Sequence, residues 1–190
     1  MSQAKVLIVV GSPRSNGNSA TLAQQVADGV KSAGGQAEIF NLHKMNIKPC
    51  DACDKCQDES STTCAISDDM QELYPKLRLA SALVIASPIY VFTVSAQTKL
   101  FMDRCRPLWA PHNNIFKDMP IGILLAYADP DPFSSGAVNA IRTFQDACSY
   151  LGSEIVGMVY GSASKAGEIR DNTPVMDRAF QLGKLLAGTG

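Results

Sequence analysis

The stretch Lys5-Val6-Leu7-Ile8-Val9-Val10-Gly11-Ser12-Pro13-Arg14-Ser15-Asn16-Gly17-Asn18-Ser19 decides the fold. Residues 6–10 are apolar without alternation, the pattern of a strand covered on both faces. Gly11 and Pro13 then end the strand as a turn does. A helix is predicted from Ser19 to Ala33, because Leu22, Val26 and Val30 recur four apart on one face, and Gly34-Gly35 stops it. The loop between is dense in hydroxyl and amide side chains and opens a helix N-terminus, where free N–H groups and the helix dipole favour an anion. Such donors can complete a phosphate cradle, and Arg14 adds charge. The P-loop fingerprint fails because Asn18 follows Gly17, and the dinucleotide fingerprint fails because Ser12-Pro13 interrupts it. The alternative is a βα loop that uses Ser, Asn and Gly for turn chemistry and binds nothing.

Working outward, the same alternation continues. Gln36–Asn41 reads as a second strand, followed by a polar, cysteine-rich loop over residues 42–67. Asp68 reads as the N-cap of a helix carrying Met70, Leu73, Tyr74 and Leu77 on one face, with Pro75 expected to kink it. A third strand is expected over Ala82–Ala86, ending at Ser87-Pro88, and a helix over Ser95–Arg104. Met119–Tyr127 is the fourth strand. Ser134 or Ser135 is expected to cap a helix carrying Val138, Ile141, Phe144, Cys148 and Leu151. Glu154–Tyr160 is the fifth strand, and a last helix starts near Pro174. Five strands alternating with five helices imply an α/β fold: a doubly wound five-stranded parallel sheet with helices on both faces. Ligands of such sheets bind outside the C-terminal strand ends at the switch point, so the loops after the first, third and fourth strands matter. With no internal repeat or linker, residues 1–190 read as a single domain with an insertion at residues 42–67.

Composition narrows the partners. A net charge of −1 without a basic run argues against a nucleic-acid surface. No apolar segment has the length of a signal core or a membrane span, so a cytoplasmic protein without a membrane partner is expected. Thiols stay reduced there, so the six cysteines read as ligands, redox groups or core residues rather than disulfides.

After the third strand, Ser87-Pro88-Ile89-Tyr90-Val91-Phe92-Thr93-Val94-Ser95 combines a fixed exit at Pro88 with two aromatic rings, Tyr90 and Phe92. They can form a flat wall for a ring, or they are core aromatics at a strand end. After the fourth strand, Ala126-Tyr127-Ala128-Asp129 is the third expected contribution.

Gly11-Ser12-Pro13-Arg14 with Gly17-Asn18-Ser19 resembles the FMN-phosphate loop of the NADPH-dependent FMN reductase-like flavoproteins. The resemblance continues in Asp68-Asp69-Met70, in Ser87-Pro88-Ile89-Tyr90 and in Lys99 through Asp103-Arg104. It implies a flavodoxin-like fold with FMN as cofactor. Ser12, Arg14, Asn16, Asn18 and Ser19 would hold the phosphate, Pro88, Ile89, Tyr90, Val91 and Phe92 the ring, with Tyr127 beside them. The family's loop after the fourth strand is often richer in glycine than Asp129-Pro130-Asp131-Pro132. Lys99, Asp103 and Arg104 serve the flavin, a subunit interface or a solvated helix face. The flavin carries the chemistry, so no catalytic side chain is named. The resemblance also implies a homodimer or homotetramer with the flavin near an interface.

Cys50-x₂-Cys53-x₂-Cys56-x₇-Cys64 lies in the long loop. Three thiols at three-residue spacing and a fourth beyond suit the four ligands of a [4Fe–4S] cluster, and ferredoxin-type clusters share the first two spacings. Zinc also takes four thiolates, usually as two separated Cys-x-x-Cys pairs, and free redox-labile thiols are the third reading. The pattern is similar to that of the iron–sulfur flavoprotein branch, which implies Cys50, Cys53, Cys56 and Cys64 as cluster ligands. Ala52 stands where many such proteins have glycine. The expected function is an FMN-dependent oxidoreductase taking electrons from NAD(P)H or a carrier and delivering them to a small acceptor or through a cluster. A metal-free NAD(P)H:FMN or quinone reductase is one alternative. A non-catalytic flavin-binding protein or a thiol or zinc sensor is the other. Cys105 and Cys148 read as packed thiols, His43 and His112 as surface or loop residues, and Trp109 as structural or interfacial.

Overall fold

Strand β1 (Lys5–Val10) pairs in parallel with β2 (Gln36–Asn41) on one side and with β3 (Ala82–Tyr90) on the other. A computed structural model describes residues 3–59, 61, 63–110 and 113–188; Pro111 and His112 lie outside the described residues. β3 in turn pairs in parallel with β7 (Pro120–Tyr127), and β7 with β8 (Glu154–Ser162), so the main sheet runs β2-β1-β3-β7-β8. Three short strands complete the set: β4 (Thr93–Val94) folds back on β3, while β5 (Trp109–Ala110) and β6 (Asn113–Asn114) pair with each other.

The helices are α1 (Asn18–Ser32), α2 (Met70–Leu79), α3 (Ala96–Arg104), α4 (Ala137–Leu151) and α5 (Thr173–Ala187). Strand side chains alternate between faces, and two cores follow. Val6, Ile8, Val10, Val84 and Leu124 pack under α1 and α5. Leu7, Val9, Leu83, Ile85, Ile121 and Ile123 pack under α2, α3 and α4. The doubly wound sheet expected from the alternation of elements is therefore present, with winding reversed between β1 and β3. Among the described residues, no helix is long and apolar enough to cross a membrane.

Several boundaries differ from the sequence reading. β3 does not stop at Ala86. Ser87 and Pro88 stay in register opposite Leu125 and Ala126, and Ile89-Tyr90 pair with Val94-Thr93. β1 leaves the ladder at the Val10–Ala86 pair, so the missing N–H of Pro88 interrupts no bond on that side. Asp68 does not occupy the N-cap of α2. Asp69 does, and Asp68 accepts from the Met70 N–H while pairing elsewhere. The helix runs on through Pro75. Gly136, in the left-handed region, precedes α4 where Ser134 or Ser135 was expected as the cap; the Ser135 hydroxyl still accepts from the Ala137 N–H. α5 is capped by the Asn172 side chain, which accepts from the Val175 N–H.

α1 and α5 meet at glycines. A Cβ on Gly29 would strike the Phe180 carbonyl, and one on Gly183 would strike the Val26 carbonyl and the Val30 nitrogen. Backbone cannot give way as a flexible side chain can. Gly183→Ala is therefore expected to lower unfolding stability by about 2 kcal/mol, although alanine is the better helix former. Urea denaturation measures this, and an increase would show that the helices can move apart.

Candidate functional site

Four chain segments converge at the C-terminal edge of the sheet around a cleft of about 270 Å³. Ser12, Arg14, Gly17, Asn18 and Ser19 come from the loop between β1 and α1. Pro88, Ile89 and Tyr90 come from the end of β3, Ala126, Tyr127 and Ala128 from the end of β7, and Ala163, Ser164 and Ala166 from beyond β8. Of the residues read as flavin contacts, Ser12, Arg14, Asn18, Ser19, Pro88, Ile89, Tyr90 and Tyr127 are brought together here. Asn16, Val91 and Phe92 do not line the cleft. Asn16 sits at the exposed crest of its loop. Val91 and Phe92 form the tip of the β3–β4 hairpin, 90% and 61% exposed. Both have positive φ, 48° and 65°, as a two-residue type I′ turn demands but a β-branched or aromatic residue resists.

The phosphate end has a distinctive chemistry. No side chain caps α1: Gly17 holds the N-cap without a side-chain bond. The first N–H groups of a helix have no intrahelical acceptor. Ser19 Oγ is buried and has no hydrogen-bond partner among the described residues. A hydroxyl left unpaired in the interior is costly, and it marks a place built for an acceptor. An FMN phosphate fits this set: open N–H groups, an unpartnered hydroxyl and the exposed Arg14 at the rim.

Asn18 has another task. Its amide donates to the carbonyls of Ala163 and Lys165, each at 3.0 Å, and its Oδ1 accepts from the Ile169 N–H at 3.2 Å. The side chain read as a phosphate donor instead clamps the far wall of the cleft onto the phosphate loop. A buried polar chain joins the other walls. Ser95 Oγ donates to the Gly11 carbonyl at 2.7 Å, and Ser87 Oγ accepts from the Ser95 N–H at 3.0 Å. Sequence reading missed Ser87, Ser95 and the residues 163–166; Ser95 stood in the right place for a helix cap, which it also is. Burial raises the pKa of the Tyr127 phenol in the cleft, helped by Tyr160 and Asp131 nearby.

The four cysteines of the long loop line a second cavity, about 460 Å³, walled also by Arg104, Arg106, Met102 and Trp109. Cys50 and Cys53 are exposed, Cys64 is half-buried and Cys56 is buried. Between them Ala52 and Asp54 both have φ of 54°. These left-handed residues turn the chain between successive cysteines, so that all of them border the same space. Ala52 thus holds a conformation that glycine adopts without strain. Among the described residues, no three Cys, His, Asp or Glu side chains converge on one point as a single ion requires. A cubane instead spreads its four thiolates over four irons, and a shared cavity is compatible with that.

Residues 4–167 match the NADPH-dependent FMN reductase family. The chain belongs to that family. An iron–sulfur flavoprotein of Methanocaldococcus jannaschii is 36% identical over 104 residues, which cover 55% of this chain and 53% of that protein. The chain thus spans about half the length of that curated relative. An iron–sulfur flavoprotein of Archaeoglobus fulgidus is 27% identical over 186 residues, 96% of this chain and 79% of that one. The solved NAD(P)H:quinone oxidoreductase of Methanothermobacter marburgensis shares the fold at TM-score 0.74, with 18% identity over 97% of this chain and 96% of its own.

In this member of the NADPH-dependent FMN reductase family, the cysteine loop is anchored by a buried ion pair. Arg104 donates to both oxygens of Asp68 and, at 2.6 Å, to the Lys48 carbonyl. Asp68 also accepts from the Lys48 N–H, and Asp69 from the Asn46 N–H. Tyr74 donates to the Arg104 carbonyl. Arg104 is therefore no part of a solvated face, whereas Lys99 and Asp103 pair with each other on the surface. His43 is exposed, as expected. Cys105 and Cys148 are buried, and burial pushes both thiols up, Cys148 to about 11, so they remain protonated packing groups. Trp109 stacks edge-on against Tyr150 and under Arg106.

Burial of Asp68 works against its charge, but the bonds from Arg104, Lys48 and Met70 outweigh it and hold its pKa below the ordinary 3.8. A depressed carboxylate contributes stability that is complete above its unfolded value and lost as pH falls through the folded one. Asp68→Ala strands the guanidinium and is expected to cost about 3 kcal/mol near neutrality. Urea unfolding as a function of pH should also show a shallower fall below pH 3.8 than in the wild type.

Proposed function

We propose that this chain is an FMN-dependent oxidoreductase whose cleft at the sheet edge holds the flavin. The observation that carries the reading is the buried, unpartnered hydroxyl of Ser19 at an uncapped helix N-terminus. Ser12, Arg14 and Ser19, with the backbone N–H groups of Asn18 and Ser19, receive the phosphate, while the Gly17 N–H is given to the Arg14 carbonyl. Pro88, Ile89, Tyr90 and Tyr127 border the ring, and the Asn18 clamp keeps the cleft closed on its far side. Bound FMN supplies hydride and electron chemistry; the protein binds it, orients it and limits water. NAD(P)H or a reduced carrier is the electron source and a small molecule the acceptor. Tyr90, Val91, Phe92 and Phe133 are exposed apolar residues around the hairpin and the turn beside it, which supports a homodimer or homotetramer joined near the flavin. Free cysteines throughout suit a reducing cytoplasm.

The name borne by both curated relatives and the common cavity of Cys50, Cys53, Cys56 and Cys64 favour a second cofactor, a [4Fe–4S] cluster bound by those thiolates.

Anaerobic purification followed by a visible spectrum and flavin, iron and sulfide analysis tests both readings. Flavin with iron and sulfide is expected; flavin alone would leave a metal-free reductase, and protein that never takes up FMN would overturn the oxidoreductase reading. Ser19→Ala separates binding from folding. It is expected to weaken FMN binding about tenfold in a fluorescence titration and to raise the stability of the flavin-free protein by about 1 kcal/mol, since it removes an unpaired buried hydroxyl.

A further inference from the structure

Arg104 is 1% exposed, and it is one of the residues lining the cysteine cavity. Its terminal nitrogens make three hydrogen bonds, two from Nη1 to the Lys48 carbonyl and Asp68 and one from Nη2 to Asp68. Its Nε is buried and has no hydrogen-bond partner among the described residues. A guanidinium N–H withheld from water and given no acceptor is rare, and it points to a partner absent from the polypeptide. The cavity wall holds the four cysteines, whose thiolates would be anionic acceptors, together with Asp51, Asp54 and Asp103; of these, Asp103 is already paired with Lys99. α3 carries Arg104 at its C-terminal end, while its N-cap, Ser95, is bonded to Gly11 of the phosphate loop. One short helix therefore connects the flavin cleft to this donor.

We infer that Arg104 is a positioning residue for the cluster: its Nε–H donates to a cluster or cysteine sulfur and its charge favours the reduced form. The inference rests on the cluster reading above. Reduction adds negative charge to the cluster, and a fixed cation with a directed N–H stabilises that charge; hydrogen bonds to sulfur are among the factors that set such potentials. Asp68, fully buried against Arg104, partly cancels the cation. Removing the two partners therefore has opposite consequences. Loss of the cation disfavours reduction, and loss of its counter-ion favours it.

The test uses the full chain reconstituted anaerobically with iron and sulfide. Failure of the wild type to incorporate them overturns the cluster reading, and this inference with it. In cluster-loaded wild type containing ¹⁵N-arginine, pulsed EPR of the reduced protein is expected to detect a nitrogen coupling that Arg104→Lys removes. A wild type without that coupling overturns the role of Arg104 while leaving the cluster reading intact. In optical redox titrations, Arg104→Gln is expected to shift the reduction equilibrium about tenfold toward the oxidised form, or about 59 mV for one electron. Asp68→Asn, which keeps an oxygen to accept from Arg104, is expected to shift it the other way. Equal potentials in all three proteins, or shifts of the same sign in both variants, overturn the inference. If Arg104→Gln does not fold, the labelled wild type and Asp68→Asn decide.

Discussion

Parallel strands cannot be joined by tight turns, so every connection between the parallel strands of this sheet must leave at one edge and return at the other. That constraint gathers the C-terminal ends of β1, β3, β7 and β8 on one rim. Between β1 and β3 the winding reverses. α1 leaves to one face and α3 to the other, and the loops that lead into them part to make a crevice. Each wall of the cleft is a consequence of that parting. The buried Ser87–Ser95–Gly11 chain then holds the two diverging loops at a fixed separation.

The cysteine loop obeys different physics. Its described residues belong to no ladder, and few apolar side chains among them anchor it: Leu42 and Cys56 are buried, with Met45, Ile47 and Cys64 packed against the core. What holds its two ends is polar, namely Asp68 and Asp69 accepting from Lys48 and Asn46, with Arg104 behind them. A buried pair of this kind contributes less to net stability than its Coulomb attraction suggests, because both charges give up water. It fixes a geometry instead. Four thiols brought to one cavity by left-handed turns at Ala52 and Asp54 are the result.

The parts of this structure governed by periodicity were legible in the sequence. The apolar runs of β1 and β7 and the one-faced patterns of α1 and α5 place the sheet and its two layers within a residue or two. That the loop between β1 and α1 lies at a cleft on the sheet edge was legible from its position after the first strand. What escaped depends on pairing across space. Nothing near Pro88 announces that β3 runs on to Tyr90, because the strand that permits it, β4, lies beyond the turn. Asn18 looked like a phosphate donor because its carbonyl partners are remote in sequence. The sequence leaves Arg104 open between a flavin contact, a subunit interface and a solvated helix face, because its counter-ion Asp68 sits in another element.

The Asn18 clamp sets an order of events during synthesis. Its bonds to Ala163, Lys165 and Ile169 span 145, 147 and 151 residues. A nascent chain holds the complete loop between β1 and α1 from its first helix onward, yet the far wall of the cleft emerges 145 residues later. Contacts of such separation form late, after the chain between them has paid its loop entropy. The cleft therefore closes only after β8, the strand that leads into its far wall, has been made.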